Sequence, residues 1–138
     1  MAGQLSNAGE ELALNMLFRN TGTKPTNVYL GLTTVAVAEA NGLADITEEG
    51  DATYARQEIT FAAPAQEGGK GTVKNSAAIN FGPWTANALA PITHAFITDV
   101  STGTAGVILA YFTLPDAKSP VLGETLTVPI DNLVFDLD

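Results

Sequence analysis

From Tyr54 onward the chain runs as short apolar–polar alternations separated by clusters of Gly, Pro, Asn and Thr. Successive side chains of an extended strand point to opposite faces, so this alternation describes strands with a buried face. With one more such run nearer the N-terminus, the pattern predicts roughly seven strands at intervals of about 8 to 20 residues. Short strands joined by turn clusters, with no helix between them, pair antiparallel. The expected fold is therefore mainly β. It is an antiparallel β-sandwich of jelly-roll type, or a small barrel, with one N-terminal α-helix in a single domain over residues 1–138.

Residues 54–61 mark the change in style. Tyr54, Arg56, Glu58 and Thr60 fall on one face, and Ala55, Gln57, Ile59 and Phe61 on the other, with Ile59 and Phe61 in the core. Residues 62–71 have no period and read as a loop or a loose hairpin connection. Residues 73–81 resume the alternation with Ala77, Ile79 and Phe81 inward, until Gly82-Pro83 breaks it. Trp84 at this turn is a lid over the core or an interface anchor. Residues 92–99 and 106–112 form a hairpin across Ser101-Thr102-Gly103-Thr104. The second of these strands is apolar on both faces, which places it centrally. Residues 115–123 read as a surface loop. Residues 124–129 and 133–138 are the last strands; Pro129 has no N–H to donate and ends its strand or lies at an edge. The final strand ties the C-terminal segment into a sheet.

Ahead of residue 54 the sequence is different. Residues 6–19 form a helix capped by Asn7, with Glu10 in the capping-box position. Ala8, Leu12 and Met16 share one side, Ala13 and Leu17 widen it, and Leu14 and Phe18 make the helix apolar almost all round. Such a helix is expected to be buried on more than one side, in the fold or against a neighbour. Asn20-Thr21-Gly22 ends it. Val28, Leu30 and Leu32 form the core face of the next strand. Residues 36–53 gather Glu39, Asp45, Glu48, Glu49 and Asp51 and read as an exposed acidic loop, with room for a short helix near 37–40. The spacing of these carboxylates does not match a calcium-binding loop.

Charged residues make up 15% of the 138, below the roughly 25% usual for soluble domains. Either a Thr-, Ala- and Asn-rich surface or burial against neighbours accounts for this. A net charge of −9 argues against tracking nucleic-acid phosphates or anionic membranes. No apolar run reaches the roughly 18 residues of a spanning helix. The N-terminal residues lack the basic and apolar regions of a signal peptide. There are no cysteines, hence no disulfide framework and no thiolate metal site.

Catalytic constellations are not legible. His94 is the only histidine, no Gly-x-Ser-x-Gly elbow accompanies it, and on a strand it reads as half-buried structure. Gly68-Gly69-Lys70-Gly71-Thr72 lacks the spacing and the following helix of a phosphate loop. No carboxylate pair stands apart as in a glycosidase. The chain is expected to be no enzyme, with no catalytic, cofactor or metal residues. Arg56 beside Tyr54 is expected to pair with an internal carboxylate or with a partner's. Tyr54, Arg56, Trp84 and Phe18 are the interface candidates. In a glycan-binding module, Trp84, Tyr54 or Tyr111 would be the stacking platform.

Several stretches together resemble a family of short tailed-bacteriophage proteins often labelled tail fibre proteins. They are Leu5-Ser6-Asn7, Leu17-Phe18-Arg19, Val28-Tyr29-Leu30-Gly31-Leu32 and Tyr54-Ala55-Arg56-Gln57 with Ile59-Thr60-Phe61. Asn75-Ser76-Ala77-Ala78-Ile79-Asn80-Phe81, Ile92-Thr93-His94-Ala95-Phe96-Ile97-Thr98-Asp99, Gly123-Glu124-Thr125-Leu126-Thr127 and Leu137-Asp138 complete the pattern. The chain departs from it at Ala95 and Ile97, where family members have a glycine and an aromatic residue. The resemblance implies a virion protein on the particle surface, made in the cytoplasm of the bacterial host. It brings no catalytic residues. The implied partners are the major capsid protein or other virion proteins and further copies of the chain, with a trimer favoured. Neither nucleic acid nor membrane is among them. Two roles fit: a capsid decoration or cement protein, or a subunit of a tail fibre or tail tip with a host-glycan role. The compact, non-repetitive chain and its apolar helix favour decoration.

Overall fold

The computed structural model describes residues 2–137. Ten strands occur among them: β1 (Gln4–Leu5), β2 (Tyr29–Thr33), β3 (Gln57–Glu58), β4 (Ala65–Glu67), β5 (Lys70–Lys74), β6 (Ile79–Phe81), β7 (Ile92–Thr98), β8 (Ile108–Lys118), β9 (Leu126–Val128) and β10 (Val134–Leu137). They form a five-stranded sheet in the order β1-β8-β7-β2-β3, a three-stranded sheet β10-β5-β4 and the pair β6-β9. Every pairing within these sheets is antiparallel. The arrangement is sandwich-like and no sheet closes into a barrel.

The five-stranded sheet is apolar on both faces. On one face Leu30, Leu32, Ala95, Ile97, Ala110 and Phe112 meet Ile79, Phe81, Trp84 and Leu133 in the main core. On the other, Phe96 and Ile108 pack with Val37 and Leu43. Strand alternation explains the division along β7, where Phe96 points away from Ala95 and Ile97. Along β8 a register shift opposite Ile97 and Thr98 changes the phase, so Ile108 and Ala110 serve different clusters. Gly31 pairs with Phe96, and a Cβ at Gly31 would lie 2.2 Å from that ring. Glycine is what lets the ring lie flat across β2.

This second face corrects the expectation for residues 36–53. They form a loop exposed on its outer side only, because Val37 and Leu43 are the cover of that face. The short helix expected near 37–40 is absent; a 3-10 turn occurs instead at Leu43–Asp45, where the Gly42 N–H donates to Asp45 Oδ2 at 2.8 Å. Composition misleads here because only Val37, Leu43 and Ile46 are large and apolar, at no regular spacing, among five carboxylates and five alanines.

The helix runs over nearly the expected residues but changes type partway and is differently capped. α1 spans Asn7–Leu14, followed by a π-helical turn over Asn15–Arg19. Ser6, not Asn7, is the N-cap: its hydroxyl accepts from the Gly9 N–H at 3.0 Å and donates to the Ile108 carbonyl of β8. The Ser6 N–H donates to Leu109 O at 3.0 Å. Ser6 therefore caps the helix and rivets it to β8 at once. Gly9 is the only buried residue of α1. The expected burial inside the fold does not occur, and the apolar residues beyond Leu12 face outward. Asn20 at φ 50° and Gly22 at φ 94° turn the chain out of the helix.

Three smaller expectations change. Residues 62–71 contain the β4–β5 hairpin, whose two turn residues Gly68 and Gly69 both have positive φ. The run 73–81 is broken at the fully buried Asn75, and Ala77 is exposed. The Asn75 side chain donates to the Ala77 and Pro129 carbonyls and accepts from the Leu133 N–H, which ties three segments together. Finally, β8 continues through Pro115 to Lys118, where a loop was expected. Its register against β7 slips between Ile92 and His94, and the extra residues in β8 absorb the proline. The 92–98 and 108–118 strands form the expected hairpin, β8 lies inside its sheet, and β10 ties residues 134–137 to β5.

Candidate functional site

Glu48, Tyr54 and Arg56 form one polar node at the β2 side of the large sheet, with the Tyr54 ring against the main core and the Arg56 guanidinium over Phe96 on the second face. β3 contains only Gln57 and Glu58, so Tyr54 and Arg56 precede the strand and do not follow its alternation. Arg56 is buried, with its guanidinium 5.4 Å from the centre of the Phe96 ring. Its Nη2 and Nε donate to the two carboxylate oxygens of Glu48 at 2.5 and 3.1 Å. Its remaining donors reach the carbonyls of Val100 at 3.0 Å and Gly103 at 2.9 Å. One side chain thus closes the 46–53 segment and the β7–β8 turn onto the sheet. The Tyr54 hydroxyl donates to Glu48 Oε2 at 2.9 Å and accepts from the Leu32 N–H at 2.8 Å. Its ring stacks on Phe81 at 6.0 Å. Burial, then the charge of Glu48, pushes this phenol far above its ordinary range.

Asp51 closes a second junction. Its carboxylate accepts from the Thr53 hydroxyl and N–H and from the Thr85 hydroxyl and N–H, all between 2.6 and 2.9 Å, and from the Ala86 N–H at 3.1 Å. These bonds, the Thr53 hydroxyl first, hold the carboxyl well below the usual range. Trp84 beside this junction is 2% exposed and belongs to the main core. Its backbone N–H donates to Glu124 O, and its carbonyl accepts from the Gly123 N–H. Its Nε1 has no hydrogen-bond partner among the described residues, so packing alone holds the indole.

The four interface candidates therefore separate. Tyr54 and Arg56 share Glu48 and face inward, and Trp84 is enclosed near Asp51. A sugar cannot stack on an indole that is 2% exposed. Tyr111 is half-buried. Phe18 alone is presented to solvent: it is 79% exposed, beside Leu17 at 72% and Leu14 at 57%. Three large apolar side chains on adjoining helical turns form an exposed patch of the kind that marks interaction surfaces.

Sequence reasoning missed a groove. It is a cavity of about 180 Å³ between the end of β8 and β9, floored by Leu32, Phe81 and Ala95 and walled by Leu114, Leu126 and Val128. Asp116 and Lys118 stand at its rim. No signal in the sequence reveals it, because residues 115–118 read as loop and the floor residues belong to three different strands. The five carboxylates of residues 39–51 do not converge; Glu48 and Asp51 bind separate partners. Among the described residues no cluster of three or more metal-ligating side chains occurs, and no helix is long and apolar enough to cross a membrane.

Residues 4–136 match the family described as podophage GP4 fiber I protein gp80. No curated protein matches the chain.

Proposed function

Because the chain belongs to this podophage fibre-protein family, we propose that it serves as a subunit of a tail fibre or tail tip on the phage particle. The observation that carries this is the extent of the match, which takes in α1, all three sheets and the exposed apolar tip. A fibre subunit works by contact, and its chemistry is that of assembly: apolar surface leaves water between copies or against neighbouring virion proteins. Leu14, Leu17 and Phe18 are the part of this molecule best suited to it. Capsid decoration ranks second. The exposed tip would serve a capsid lattice equally well, but the family name favours the fibre. Host-glycan recognition draws no support from Tyr54 or Trp84, whose rings are occupied inside the fold.

The test is location and number. Quantitative mass spectrometry of purified particles, with antibody–gold labelling, is expected to find a handful of copies at the tail. Hundreds of copies with label over the head would overturn the fibre assignment in favour of decoration.

A further inference from the structure

The apolar tip and the groove fit one another. Phe18 stands out from an ordered turn, braced by the Arg19–Asn15 side-chain bond at 3.2 Å and turned back at Asn20 and Gly22. The groove holds about 180 Å³ and is apolar on its floor and walls. A cavity of roughly 150 Å³ lined by aliphatic and aromatic side chains takes up a benzene ring. There is room for one phenyl group.

The two features lie at opposite ends of the same strand. α1 sits on the start of β8, where a Cβ at Gly9 would lie 2.0 Å from the Leu109 carbonyl oxygen. Leu12 and Asn15 face Pro25, Asp99 and Val107, so the helix runs toward the β7–β8 turn. The groove is walled by Leu114, Pro115 and Lys118 at the far end of β8. A subunit cannot place its own Phe18 in its own groove.

Charge points to the same occupant. All 15 acidic residues lie outside residues 12–38, a stretch that carries Arg19 and Lys24. Copies of this acidic chain repel one another over most of their surface, while the tip segment itself carries no carboxylate and brings Arg19 to Asp116 at the groove rim. Lys118 is the one basic residue there.

We propose that Phe18 of one copy inserts into the Leu32–Phe81–Leu114–Leu126 groove of a second copy, in a head-to-tail contact. Such a contact is heterologous: it makes a ring if the rotation closes, a trimer among the choices, and an open helical array if it does not. It rests on the fibre assignment for its place in the particle, yet the two fail separately. Monomeric protein overturns the contact alone, and label over the head overturns the assignment alone.

Sedimentation velocity of the full chain over a range of concentrations tests it, with Phe18→Ser and Leu114→Arg as variants. Each variant alone is expected to weaken association by on the order of tenfold or more. Their equimolar mixture is expected to recover a dimer and nothing larger, since one partner keeps the tip and the other the groove. The absence of native cysteine allows a second measurement that does not depend on Leu114→Arg folding. A mixture of L17C and D116C chains, which keep Phe18 and the groove walls, is expected to form a disulfide-linked dimer under mild oxidation, beyond the amount either forms alone. The contact is overturned if the wild type stays monomeric, if folded Leu114→Arg associates undiminished, as pairing of two tips would give, or if the cysteine mixture gives no excess dimer.

Discussion

Arg56 ties three separate segments of the structure together through one side chain. Its partners are a carboxylate, two carbonyls and an aromatic face, and its own side chain is 3% exposed. Arg56→Ala strands Glu48, which is only a quarter exposed, and leaves two carbonyls unpaired. Removing one member of a buried pair costs several kcal/mol, and here a loss of about 3 kcal/mol is expected in urea unfolding. Arg56→Lys is expected to recover only part, since an ammonium cannot match the forked geometry. Asp51 gives the pH dependence. Its unfolded carboxyl titrates near 3.8 and its folded one lower, so the unfolded state binds the proton first as pH falls. The stabilisation is complete above about pH 4 and is lost through the lower folded value. Asp51→Ala is therefore expected to be less stable than wild type at neutral pH, with the difference shrinking below pH 4 in acid-unfolding series. The internal pairing of Arg56 was legible, as a lone arginine beside an acidic stretch. That Glu48 would be the partner was not, because choosing among five carboxylates requires the path of residues 37–53 over Phe96.

At the scale of elements, local pattern and tertiary contact competed. Alternation located β2, the β7–β8 hairpin and β10, because each buries one face regularly or lies inside a sheet. It failed at β1 and β4, which are two and three residues long and gain their definition from the neighbour they pair with. The helix shows the same contest. Its apolar circumference suggested burial, yet contact with β8 is made through Ser6 and Gly9, the small residues that allow close approach. Gly9→Ala keeps or raises helix propensity but drives a methyl group into the Leu109 carbonyl. It is expected to destabilise the protein by about 1–3 kcal/mol and to raise hydrogen exchange in α1, measured by thermal melting and mass spectrometry.

For the whole molecule, the separation of stabilising from assembling residues is the main consequence of the fold. Tyr54, Arg56 and Trp84 hold the monomer together, whereas Leu14, Leu17 and Phe18 contribute little to it. Phe18→Ser is expected to change unfolding free energy by no more than about 0.5 kcal/mol, as exposed substitutions do. It is expected to lower incorporation into particles, measured by complementing a deletion phage and counting copies per particle.

The sequence by itself determined the β class, the hairpin at the centre of the large sheet and the kinship with phage fibre proteins. These depend on local alternation, turn chemistry and motif order, which survive in one dimension. Tertiary structure decided that an acidic segment covers the second face of the sheet, that an apolar helix stays exposed, and that a groove opens at the end of β8. Each of these depends on which distant segments meet: Val37 and Leu43 on Phe96, Gly9 on Leu109, Leu32 and Phe81 beneath Leu126. Apolar area is buried wherever packing permits, and a linear pattern records how much of it there is without recording what covers it.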